Sequence, residues 1–212
     1  MNLIQQFQAL QAKLPLIAIL RGIRPDEAGA HVSALIECGF DSIEVPLNSP
    51  DWQQTLPQLV RQFGDRAMIG AGTVLNVAQV NAVAAAGARL LVTPNTDAEV
   101  IAGAVRQQIW TAIGCATASE AFTALNAGAH ALKIFPASAF GPAYIKAIKA
   151  VLPPEVPLFA VGGVTPENLA DYLAAGCVGA GLGSDLYRAG QPLSRTVEKA
   201  EAFIAAYKDA VR

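Results

Sequence analysis

The sequence has no apolar run of the ~20 residues needed to cross a bilayer. Its N-terminus, MNLIQQFQALQAKLPLIAIL, lacks the basic leader before an apolar core that marks a secretory signal. A soluble, cytoplasmic protein with no membrane partner is therefore expected. Positive charge is scarce: the formal net charge is -2 and only 15% of residues are charged. No basic stripe is available for nucleic acid, and no acidic tail appears. The three cysteines, Cys38, Cys115 and Cys177, form no CxxC pair, so neither a disulfide framework nor a zinc site is indicated. Each is expected to fill a small apolar gap. His31 and His130 have no metal-ligand partner at a useful spacing and are read as structural, as Trp52 and Trp110 are read as packing residues. Aromatics are few, at 7%, whereas Ala and Gly are abundant, a mix suited to helices packed closely on a sheet. The 212 residues are 53% hydrophobic, enough to bury one domain's core.

What is present is an alternation. Short apolar runs are followed by Gly, Pro or Ser/Thr punctuation and then by amphipathic stretches. The runs predict strands at 16–20, 42–45, 67–70, 90–92, 110–113, 131–134, 158–161 and 178–181. They are apolar on both faces, as in parallel strands covered by helices. Thr96-Asp97-Ala98-Glu99 and Thr117-Ala118-Ser119-Glu120 fit capping boxes. Pro25, Pro50 and Pro166 stand where first helical residues should be. Gly39, Gly87, Gly128 and Gly176 stand at expected C-caps, and their recurrence is a weak internal repeat of a βα unit. Eight such units across residues 1–212, with an N-terminal helix, predict a single (β/α)8 TIM barrel. An open doubly wound sheet is disfavoured because Ile19-Leu20-Arg21-Gly22-Ile23, rather than GxGxxG, follows the first strand.

In such a barrel chemistry sits at the C-terminal ends of strands. Lys133 is the lysine inside an apolar strand, in Ala131-Leu132-Lys133-Ile134. Desolvation there favours a neutral amine, the form that attacks a ketone to make an imine. An edge-strand lysine with its head in water is the competing reading. Glu44 ends the second strand. It suits proton transfer beside an imine, or else a structural salt bridge to Arg21. The glycine pairs Gly162-Gly163 and Gly181-Leu182-Gly183, with Ser184, follow the seventh and eighth predicted strands. They suit a phosphate held by backbone N–H groups, or else tight barrel turns. Asp185 is expected to face solvent or cap a helix. Arg21 and Thr73 could hold a carboxylate, and Thr73 could equally be a helix cap.

Taken together, Ile43-Glu44-Val45, Gly70-Ala71-Gly72-Thr73-Val74-Leu75, Lys133-Ile134-Phe135-Pro136-Ala137, Gly162-Gly163-Val164-Thr165-Pro166-Glu167-Asn168 and Gly181-Leu182-Gly183-Ser184 resemble, in order, the 2-keto-3-deoxy-6-phosphogluconate and 6-phosphogalactonate aldolases. The resemblance implies a class I aldolase that reversibly cleaves a phosphorylated keto-deoxy sugar acid to pyruvate and glyceraldehyde 3-phosphate. It implies no metal, no organic cofactor and a homotrimer. It assigns the imine to Lys133, acid/base work to Glu44, carboxylate binding to Thr73, and phosphate binding to Gly162, Gly163, Gly183 and Ser184. Two departures separate branches of the family. Asn48 stands where the phosphogluconate branch usually has arginine, and Arg21 is its expected replacement. Val161 stands where that branch tends to carry threonine, beside the substrate C4 hydroxyl. Both departures resemble the phosphogalactonate branch. A sugar-phosphate epimerase or isomerase needs no strand lysine, and a metabolite-binding sensor barrel needs no Lys133–Glu44 pair.

Overall fold

The computed structural model describes Gln5 and residues 14–212. The expected N-terminal helix falls on residues 1–13, of which only Gln5 is described. The strands are β1 (Leu16–Ile19), β2 (Ser42–Pro46), β3 (Met68–Gly72), β4 (Leu90–Val92), β5 (Trp110–Cys115), β6 (Ala131–Ile134), β7 (Leu158–Val161) and β8 (Gly179–Leu182). They pair in parallel, each with its sequence neighbour, and β8 returns to β1 to close the barrel. The expected (β/α)8 TIM barrel is therefore the observed fold. β4, β6 and β7 have the expected bounds, and the other strands differ by a residue or two at one or both ends.

Between and after the strands come α1 (Pro25–Cys38), α2 (Trp52–Phe63), α3 (Val77–Ala85), α4 (Ala98–Arg106), α5 (Ala118–Asn126), α6 (Ala137–Lys149), α7 (Leu169–Ala174) and α8 (Leu193–Ala210). Pro25 opens α1, and the Thr117–Glu120 capping box opens α5, as expected. The box at Thr96 does not form. Thr96 Oγ1 donates instead to the Gly114 carbonyl at 2.8 Å, and the cap passes to Asp97, whose carboxylate accepts from Glu99 and Val100 N–H. Pro50 and Pro166 lie in turns ahead of α2 and α7 rather than at their first residues. Gly39, Gly87, Gly128 and Gly176 all adopt left-handed φ just past their helices, the backbone a C-cap glycine supplies without a Cβ penalty. α6 bends at Gly141, and Pro142 restarts the helix where its missing N–H costs nothing.

Strand parity creates two cores. Ile43, Val45, Leu91, Ile113, Leu132 and Ala160 point outward under the helices. Ile17, Met68, Leu90, Trp110, Ala131 and Phe159 point inward and pack against one another. The Trp110 ring meets Phe159 edge-on at 6.3 Å and stacks on His130 at 6.2 Å. All three cysteines are free; Cys115 and Cys177 are buried and Cys38 is partly so.

Candidate active site

Lys133 and Glu44 share the inward parity of that apolar barrel core. β6 lies between β5 and β7, so Lys133 is not on an edge, and its side chain is nearly enclosed at 7% exposure. The edge-strand reading is thereby excluded. Its Nζ lies 4.8 Å from the centroid of the Phe135 ring. Burial pulls the Lys133 ammonium below its ordinary pKa and outweighs the opposing influence of Glu44. Opposite, Glu44 is 2% exposed, and burial raises its carboxyl above the usual range even with Lys133 and Arg21 pulling the other way. Glu44 Oε2 has no hydrogen-bond partner among the described residues. Two coupled groups displaced toward one another in this way can exchange protons near neutral pH.

Arg21 sits in the turn just past β1. It does not form a salt bridge with Glu44. Instead its Nη1 donates to Asn48 Oδ1 at 2.6 Å and reaches Thr73 Oγ1 at 3.4 Å. Asn48 thus anchors the arginine proposed to replace a charge at its own position, a link the sequence does not reveal. Thr73 is held at φ +56, a left-handed conformation that non-glycine residues seldom adopt. It is not the cap of α3, because Asn76 takes that role by accepting from Gln79 N–H at 2.9 Å. Glu44 is thus not salt-bridged to Arg21, and Thr73 is not a helix cap.

A cleft of about 630 Å³ is lined by Arg21, Thr73, Val161, Gly162, Gly163, Gly183 and Ser184. Those are all the non-catalytic site residues expected from sequence, and they meet in one place. Lys133 and Glu44 are not in its lining, but Phe135, whose ring lies against Lys133 Nζ, is. The glycines also have packing duties. A Cβ on Gly163 would stand 2.6 Å from Ser138 Cβ, and the Ser138 N–H donates to the Gly162 carbonyl at 3.0 Å. Gly183 opens a single helical turn whose carbonyl accepts from Leu186 and Tyr187 N–H. Asp185, within that turn, is partly exposed and caps no helix, and Lys199 Nζ lies 3.2 Å from its Oδ2.

Sequence reasoning missed two residues here. Arg188 lines the cleft, with its Nε donating to the Ser184 carbonyl at 2.9 Å. Gly72 stands beside the Glu44 carboxylate: a Cβ there would fall 1.4 Å from Oε2. The available signal for Gly72 was the spacing of Gly70 and Gly72, which puts both on the inward face. Among the described residues, no cluster of three His, Cys, Asp or Glu is arranged to hold a metal.

A family model for KDPG and KHG aldolase matches residues 8–201. The 2-dehydro-3-deoxy-6-phosphogalactonate aldolase of Escherichia coli strain K12 is 64% identical over 202 residues, covering 95% of this chain and 98% of that protein. A solved structure described as native KDPGal is 65% identical with a TM-score of 0.93, over 94% of this chain and 97% of that one. KDPG aldolase from Legionella pneumophila, with pyruvate captured at low pH as a covalent carbinolamine intermediate, is 28% identical with a TM-score of 0.80, over 95% and 96% of the two chains.

Proposed function

The chain belongs to the KDPG and KHG aldolase family, and from that premise we propose that it cleaves 2-dehydro-3-deoxy-6-phosphogalactonate to pyruvate and D-glyceraldehyde 3-phosphate, as a step in galactonate catabolism, through an imine on Lys133. The observation that carries the reading is the pairing of Lys133 and Glu44 as buried, oppositely shifted groups inside a barrel otherwise apolar at that level.

The chemistry follows from that pairing. The neutral Lys133 amine attacks the C2 ketone, and Glu44 shuttles the protons that let the carbinolamine lose water. The resulting iminium is an electron sink. Glu44 takes the proton of the C4 hydroxyl, the C4–O bond becomes a carbonyl, and the C3–C4 electron pair flows into the iminium. Glyceraldehyde 3-phosphate leaves. The remaining enamine is protonated at C3 and hydrolysed, releasing pyruvate and the free lysine. Pyruvate captured as a carbinolamine in the Legionella relative supports an intermediate of this type.

Charge along the cleft supports the substrate. Arg21, braced by Asn48, and Thr73 offer donors to the C1 carboxylate. Backbone N–H groups of Gly162, Gly163, Gly183 and Ser184 offer donors to the phosphate, and Arg188 supplies a cation at that end. Val161 closes β7 with an apolar side chain beside the glycine pair, where the two epimeric substrates differ at C4. No metal or organic cofactor enters these steps. Assembly as a homotrimer in the cytoplasm completes the proposal.

Side-by-side kcat/KM measurements on the two C4-epimeric 2-keto-3-deoxy-6-phospho acids, reading released pyruvate, test the substrate. A strong preference for the galacto epimer is expected. Equal or better cleavage of the gluco epimer would make this a phosphogluconate aldolase and discard the role of Val161.

A further inference from the structure

Inward positions along β3 are Met68, Gly70 and Gly72, and the latter two are glycine for different reasons. Neither has a left-handed φ, so backbone conformation demands glycine at neither. A Cβ on Gly70 would lie 2.2 Å from the Leu90 carbonyl oxygen and 2.4 Å from Leu90 Cβ. That is a collision between adjacent strands, and only the fold can yield. A Cβ on Gly72 would lie 1.4 Å from Glu44 Oε2, 2.3 Å from its Cδ and 2.7 Å from Oε1. Its three nearest neighbours are thus the atoms of one carboxyl group. The obstacle is the movable end of a side chain rather than another strand.

Glu44 pairs in register with Gly70, and Pro46 with Gly72, so the Glu44 side chain leans one pleat along toward the C-terminal end of β3. There its Oε2 is buried with no hydrogen bond from the described residues to orient it. The space over Gly72 therefore defines where the carboxyl sits. Resting on the assignment of Glu44 as acid/base, we propose that Gly72 is a positioning residue, whose missing side chain forms the seat that aims the Glu44 carboxyl at the bound substrate. Gly72→Ala displaces that carboxyl while leaving the strand pairing intact. A misplaced proton carrier costs rate far more than it costs binding.

The test is a double-mutant cycle of Gly72→Ala with Glu44→Gln for kinetics, and with Glu44→Ala for stability. The expected result is a folded Gly72→Ala enzyme whose kcat falls toward that of Glu44→Gln, a loss of ~10²–10⁴-fold for a general acid/base, with KM moving much less. Added to Glu44→Gln, the same substitution should cost less than about threefold more. The acidic limb of kcat/KM, which rises as the Glu44 carboxyl deprotonates, should shift because that carboxyl has changed surroundings. Any fall in thermal midpoint caused by Gly72→Ala should shrink in the Glu44→Ala background, where the colliding atoms are gone.

Wild-type kcat with an unmoved acidic limb in Gly72→Ala overturns the proposal. So does an equal loss of stability with and without the Glu44 side chain. Should Gly72→Ala fail to fold alone, folding of the Gly72→Ala/Glu44→Ala protein supports the seat, and its failure overturns it. Unchanged kinetics in Glu44→Gln would instead sink the acid/base assignment, and the stability cycle would still decide what Gly72 accommodates.

Discussion

The two ends of the barrel interior are built from opposite materials. Toward the N-terminal ends of the strands, Met68, Leu90, Trp110 and Phe159 fill the space with large apolar side chains in ring and methyl contact. Toward the C-terminal ends, the inward positions are Glu44, Gly72, Gly114, Lys133 and Gly181 together with Ile19, Val92 and Val161, so two ionisable groups stand among glycines and smaller aliphatic side chains. Gly114 pairs in register with Lys133, and Gly181 with Ile17 and Val161. The filled end gains from apolar burial at about 25 cal/mol per Å². The open end forgoes part of that gain and bears the cost of two desolvated ionisable groups. On the proposed roles of Lys133 and Glu44, the contrast teaches that stability and reactivity are segregated along the strand axis, so each can be altered with limited effect on the other.

The sharpest way to break this division is Lys133→Ala. It should abolish turnover while circular dichroism still shows the folded barrel, since the change removes the imine-forming amine and leaves the apolar core intact. Near-normal cleavage would remove Lys133 from the chemistry, and collapse of the fold would make it a structural group. A smaller effect of the opposite kind is expected at the filled end. Trp110→Ala should cost ~3–5 kcal/mol of stability by leaving a cavity, seen as a lower denaturant midpoint, with kcat per folded molecule preserved. A kcat loss there without a stability loss would erase the distinction between the two ends.

Much of this was legible in the sequence because barrel signals are local. Apolar runs bounded by Gly and Pro mark β4, β6 and β7 to the residue, and Gly39 and Gly176 behave as C-caps because a left-handed turn follows from nearby chain alone. Lys133 stands out since a charge in an apolar strand breaks the pattern. What escaped depends on partners distant in sequence. Thr96 has the spacing of a capping residue, but the Gly114 carbonyl on the next strand captures its hydroxyl. Asn48 reads as a lost charge until Arg21 is seen bonded to it across 27 residues. Gly72 reads as one more small residue in a barrel, and only the β2–β3 register reveals which group occupies the space over it. Arg188 follows the glycine pair in an irregular loop, where no periodicity indicates the direction of a side chain.

The most direct test of the central claim is to incubate the protein with pyruvate and borohydride, then digest it and locate the adduct by mass spectrometry. One reduced pyruvate imine on the peptide carrying Lys133, formed with loss of activity and absent from Lys133→Ala, is the predicted result. An adduct confined to another lysine, or no adduct from a preparation that cleaves substrate, would contradict it.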